Sequence, residues 1–181
     1  ADVSSGYWAA DAIDFVTSHE FFNGTGNGVF SPDALMTRAM LVTVLYRIDG
    51  EKTAASSGFA DVPAGTWYTD AVNWANANGI VTGYGDGRFG PEDTITREQM
   101  AVILYRAAKL LGRDVSARAD LSGYTDAANV GEYAVEAMQW AVAAGLIRGT
   151  QEHDKLLLDP KGGSTRAQVA VILMRFQEEV A

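Results

Sequence analysis

Three stretches of the chain share one order of polar and apolar positions: Met36 to Arg47, Ile95 to Arg106 and Ser164 to Arg175. A Thr-Arg pair opens each. An apolar run follows, strongest at Leu41, Val44, Leu45 and Ile48, at Met100, Ile103, Leu104 and Ala107, and at Val169, Ile172, Leu173 and Phe176. Intervals of three and four residues put such side chains on one face of a helix, so the pattern predicts a helix after each pair. Val42, Ala101, Val102, Ala170 and Val171 extend the apolar surface around these helices, which places them at a centre.

The threonines read as N-caps, since a hydroxyl there accepts from a first-turn amide that has no partner inside the helix. Thr96 with Gln99 and Thr165 with Gln168 fit a reciprocal capping box, whereas Thr37 has Met40 at that place and keeps half of it. Arg38, Arg97 and Arg166 are the odd residues, because a cation in the first turn opposes the positive end of the helix dipole. A locally unfavourable choice made three times requires a non-local reason.

Matching residues upstream extend the repeat to whole units: repeat one over 1–50, repeat two over 57–112 and repeat three over 121–181, in a single domain of 1–181. Repeat two runs Phe59-Ala60-Asp61, Trp67, Gly79-Ile80, the glycine-rich loop Gly83 to Pro91, then Thr96-Arg97. Repeat one aligns through Asp2, Trp8, Gly24, Phe30 and Pro32. Repeat three has drifted: Tyr133 replaces the tryptophan, and its loop is about three residues longer between Gly149 and Leu158. Each unit predicts an aspartate turn, a first helix from about the tryptophan, a loop and the second helix. Gly79 and Gly145 fit left-handed helix ends, and Phe30, Phe89 and Leu158 are expected to plug the space beneath the loops. Two helices carry too little core to fold alone, so the units must pack together. The expected fold is all-α: three helix-loop-helix repeats in a pseudo-threefold domain, with a central three-helix bundle of second helices and projecting prongs.

Composition narrows the function. The 181 residues are 48% hydrophobic with a formal net charge of -9, which suits a globular domain or compact repeat array. Such acidity argues against nucleic acid and membrane surfaces as partners. Neither a transmembrane segment nor a leader is legible, and the start at Ala1 reads as a processed fragment. Cysteine is absent, and His19 and His153 are isolated loop or surface histidines. With no metal-ligand cluster, no nucleophile beside a base and no phosphate loop, the chain does not read as an enzyme, and neither cofactor nor metal is implied. Gly85-Asp86-Gly87 is only a fragment of a calcium loop.

The ordered set of Phe-x-Asp turn, tryptophan, Gly-Ile, Phe-x-Pro turn and Ile-Thr-Arg resembles a tandem of three S-layer homology repeats over nearly the whole chain. The resemblance implies a noncatalytic, secreted module at the bacterial cell surface, in the wall or surface layer. It implies anchoring of a larger protein by binding secondary cell-wall polysaccharide that bears pyruvate ketals, in grooves between repeats; the oligomeric state is not legible, and a monomeric module is the expectation. By matching position it points to Arg38, Arg97 and Arg166 as ligand contacts. Trp8, Trp67, Gly24 and Gly83 are the expected groove walls, and Asp2 and Asp61 complete the sets of repeats one and two. Thr37, Thr96 and Thr165 are the caps. Repeat two, with Asp61, Trp67, Gly83 and Arg97, holds the fullest set.

A ketal carboxylate would suit both the spare amides of a helix N-terminus and a guanidinium fork, and a sugar ring would suit the indole. Two other readings of the same residues stay open. The arginines would lock repeats by pairing with Asp2, Asp61 or Asp126, and the tryptophans would be core. The functional alternatives are a protein-protein assembly module and a module that binds modified peptidoglycan.

Overall fold

The computed structural model describes residues 2–179. Repeat one supplies α1 (Ala10–Ser18) and α2 (Arg38–Ile48), repeat two α3 (Thr69–Ala77) and α4 (Arg97–Leu110), repeat three α5 (Val135–Ala143) and α6 (Arg166–Glu179). The all-α expectation fails at one loop. Strands β1 (Thr150–Glu152) and β2 (Lys155–Leu157) form an antiparallel hairpin that pairs Thr150 with Leu157. The extra loop residues of repeat three pair with one another, turning through His153 at φ 53°. Two short 3-10 turns, Ala127–Asn129 and Glu132–Ala134, precede α5.

Every second helix begins at its arginine. Thr96 accepts from the Gln99 N–H while the Gln99 side chain accepts from the Thr96 N–H, and Thr165 with Gln168 repeats the box. Thr37 accepts from Met40 without reciprocation. The first helices start two residues after Trp8, Trp67 and Tyr133, so these aromatics stand in the turn outside the helix. Gly79 and Gly145 end α3 and α5 in the left-handed region, at φ 68° and 69°. In repeat one Glu20 takes that conformation at φ 59° despite its Cβ.

The packing partners are not those expected. α3 lies against α2, α5 against α4 and α1 against α6, so the principal partner of each second helix is a first helix from another repeat. α2 and α4 touch less extensively. The residues before the Thr-Arg pairs also join the repeats: the Met36 N–H donates to Ser164 O at 2.9 Å and the Ile95 N–H to Met36 O at 3.0 Å, with all three side chains buried. Trp74, Trp140, Phe89 and Phe176 are the largest fully buried side chains.

Candidate functional site

The aspartates of the three turns build the loops. Asp2 accepts the N–H groups of Phe30 and Ser31, Asp61 those of Phe89 and Gly90, and Asp126 those of Leu158 and Asp159, all between 2.6 and 2.8 Å. The Phe30 amide, foremost, lowers the Asp2 carboxyl pKa. At Asp61 burial pushes the other way, but the two amides prevail and the net shift is downward. These contacts seat Phe30, Phe89 and Leu158 in the core beneath the loops, as expected. Each oxygen of Asp2 and of Asp61 thereby holds one loop amide.

Each helix start is locked to the next repeat. The N–H groups of Arg38 and Ala39 donate to Asp93 O and Pro91 O, those of Arg97 and Glu98 to Gly162 O and Pro160 O, and those of Arg166 and Ala167 to Ala34 O and Pro32 O. With the threonine taking the third amide, the first three amides of each second helix are bonded within the protein, which removes them from the expected carboxylate chemistry. The arginine follows the same direction. Its Nε donates to a loop carbonyl of the next repeat: Arg38 to Phe89 at 2.8 Å, Arg97 to Leu158 at 2.7 Å and Arg166 to Phe30 at 2.8 Å. This is the non-local reason for the cation. The arginines do lock repeats, but onto carbonyls; among the described residues none forms an ion pair with Asp2, Asp61 or Asp126.

The three arginines are buried at the residue level, and each lines a groove. Burial lowers their pKa from the usual value, while nearby groups, Tyr84 and Asp93 for Arg38, Asp159 and Asp126 for Arg97, Asp2 for Arg166, act in the opposite sense. They stay cationic. Arg38 lies over the rings of Tyr84 and Phe89, and Arg166 over those of Phe22 and Phe30. Nη2 of Arg166 also donates to Asn23 O at 3.0 Å, whereas among the described residues the terminal nitrogens of Arg38 and Arg97 make no hydrogen bond.

Above each arginine opens a groove built from all three repeats. The arginine comes from one repeat, the loop and second helix from the next, and the exposed aromatic from the one after. Arg166 shares about 460 Å³ with Gly24, Met40, Arg47 and Trp67. Arg38 shares about 370 Å³ with Gly83, Gln99, Arg106 and Tyr133. Arg97 shares about 240 Å³ with Gly149, Gln168, Arg175 and Trp8. Trp8 is 64% exposed, Trp67 57% and Tyr133 60%, so they form rims and not core. Gly83 is required by the loop itself, since a Cβ there would lie 2.4 Å from Arg88 O.

This geometry divides the sets read repeat by repeat. Trp67, Gly83 and Arg97 of repeat two fall in three different grooves, so no repeat owns a complete site. The sequence reading also passed over Arg47, Arg106 and Arg175. A signal was present: an arginine nine residues after each Thr-Arg arginine, at the end of the same tripled stretch. Arg47 and Arg106 donate to Phe21 O and Ile80 O, which holds them along the grooves. His19 and His153 are exposed, and the Asp86 carboxylate is engaged by Arg88.

Comparison with known proteins agrees with the repeat architecture. The S-layer homology domain matches at residues 1–39, 58–101 and 123–170, and the chain belongs to this family. It is similar to the Surface-layer 125 kDa protein of Lysinibacillus sphaericus, at 33% identity over 97% of this chain and 14% of that protein. An Endoglucanase of Bacillus sp. (strain KSM-635) is 31% identical over 100% of this chain and 19% of its own length. A Cellulosome-anchoring protein of Acetivibrio thermocellus is 32% identical over 59% of this chain and 25% of its own length. The chain therefore spans a quarter or less of these relatives. Among the described residues no helix is long and apolar enough to cross a membrane.

Proposed function

We propose that this chain is a noncatalytic anchoring module that holds a larger protein at the bacterial cell surface by binding wall polysaccharide in the inter-repeat grooves. One observation carries the reading: each groove has a guanidinium fixed at its base through Nε, beside an aromatic ring left exposed on its rim. A fixed fork suits a carboxylate, and an exposed ring suits the apolar face of a sugar. The anionic group is a pyruvate ketal, bound by terminal guanidinium nitrogens alone because the helix amides are already bonded. In a chain of net charge -9 the attraction must be local, which grooves containing two or three arginines supply.

The cyclic order of partners supports a pseudo-threefold domain, in which every repeat caps, locks and completes a groove for its neighbours. The names of relatives, a surface-layer protein and a cellulosome-anchoring protein, are in keeping with location at the wall or surface layer. Co-sedimentation with purified wall sacculi tests the function. Binding should be strong to native sacculi and lost when the polysaccharide is chemically removed. Full retention on stripped sacculi would assign the ligand to peptidoglycan instead.

A further inference from the structure

The rim aromatic of the Arg38 groove differs from its counterparts, as do two residues outside the groove lining, and one of these, Glu98, touches both of the others. Tyr133 stands where the other repeats have Trp8 and Trp67; Glu98 follows Arg97 where Ala39 and Ala167 follow the other arginines; Lys161 follows Pro160 where Asp33 and Glu92 follow the other prolines. Glu98 is 3% exposed. Its Oε2 accepts the Gly131 N–H at 2.9 Å, and its Oε1 accepts both the Tyr133 hydroxyl at 2.7 Å and the Lys161 ammonium. A buried carboxylate lacking such partners would be costly. Here three donors satisfy it and the lysine neutralises it, so it does not repel an anion held at Arg38.

The arrangement changes what the rim offers. A phenol both donates and accepts, and Glu98 takes the donor, so the Tyr133 oxygen is left to the groove as an acceptor. Burial and the Glu98 carboxylate also push the Tyr133 pKa up, which keeps the proton in place. An indole can only donate, and among the described residues the N–H groups of Trp8 and Trp67 make no hydrogen bond.

We propose that Glu98 is a positioning residue that makes the Arg38 groove acceptor-lined. That groove then takes a saccharide unit presenting a donor, a hydroxyl or acetamido N–H, beside its anionic group. The Arg97 and Arg166 grooves, with indole donors, take a unit presenting an acceptor. This rests on the reading of the grooves as saccharide sites.

The test is an NMR titration of the whole ¹⁵N-labelled chain with saccharide fragments released from wall polysaccharide, following the Gly24, Gly83 and Gly149 amides as separate reporters of the three grooves. Tyr133→Phe should raise the dissociation constant read at Gly83 by roughly three- to tenfold, the weight of one hydrogen bond, and leave Gly24 and Gly149 unchanged. Glu98→Ala should reproduce that loss without adding to it in the double variant, and Glu98→Gln, whose amide oxygen can accept the phenol proton, should restore it. A wild-type response at Gly83 in Tyr133→Phe, with Gly24 and Gly149 still titrating, would overturn the inference alone. No shift at any of the three glycines would overturn both the inference and the saccharide reading beneath it.

Discussion

At the seam between repeats two and three, the N–H groups of Arg97, Glu98 and Gln99 and the Nε of Arg97 are all held by protein oxygens. On the groove side of the same arginine, the terminal guanidinium nitrogens and the Trp8 ring face open space. The seam is much the same in all three repeats. The groove rims are not: they carry Trp8, Trp67 or Tyr133, and Met40, Gln99 or Gln168. Much of what repeats in this chain therefore serves assembly, and the grooves combine repeated arginines, Arg47, Arg106 and Arg175, with rim residues that vary. One side chain takes part in both, with its Nε in the seam and its terminal nitrogens in the groove.

The largest effect should come from removing the seam altogether. A fragment of residues 57–112 lacks α5, which packs on α4, lacks α2, which packs on α3, and lacks the Pro160 and Gly162 carbonyls that hold the start of α4. It should show no cooperative melting transition in calorimetry. A stable folded monomer would mean that the repeats do not depend on one another.

Arg97→Ala acts on both sides at once. It should weaken saccharide binding by about 1.5–3 kcal/mol through loss of a charge-assisted contact, and lower stability by about 1–3 kcal/mol by orphaning Leu158 O. Arg166→Ala should cost less binding, since one terminal nitrogen of Arg166 is already on Asn23 O. Calorimetric affinities and melting curves for both variants separate the two effects. Should Arg166→Ala prove the more damaging while Arg97→Ala binds and melts as wild type, the ranking of the grooves is wrong.

Thr96→Ala touches the seam only. Loss of the cap should destabilise by about 1 kcal/mol in urea, with groove affinity unchanged. Equal stability would remove Thr96 from that role. Smallest is a gain: Glu20→Gly relieves a left-handed residue that repeats two and three fill with glycine, and should stabilise by about 0.5–1 kcal/mol. A lower melting temperature would show that the Glu20 side chain contributes more than its backbone strain costs.

The parts legible in the sequence were those set by near neighbours. The threonine caps, the second helices and the turn glycines Gly79 and Gly145 depend on residues within a few positions, and their pattern recurs three times. The arginine was legible as a contradiction of the helix dipole, but its partner was not, because Leu158 lies 61 residues from Arg97 and Phe30 lies 136 from Arg166. A backbone carbonyl has no side-chain signature, so nothing in the residue types distinguished it from the aspartates. Distribution of each groove over three repeats was hidden for the same reason: the helix pairing that sets it crosses from repeat to repeat. Glu98 was visible only as a departure from alanine, whose meaning depends on finding Tyr133 and Lys161 beside it.

The central claim is that the grooves hold an anionic saccharide through the guanidinium nitrogens that the seam leaves open. The direct measurement is calorimetric titration of the whole chain with wall polysaccharide, intact and stripped of its pyruvate ketal. Stripping should abolish most of the affinity of the wild type and change that of Arg97→Ala less, because the carboxylate and the arginine are two halves of one contact. Undiminished binding of the stripped polymer by the wild type would contradict the claim.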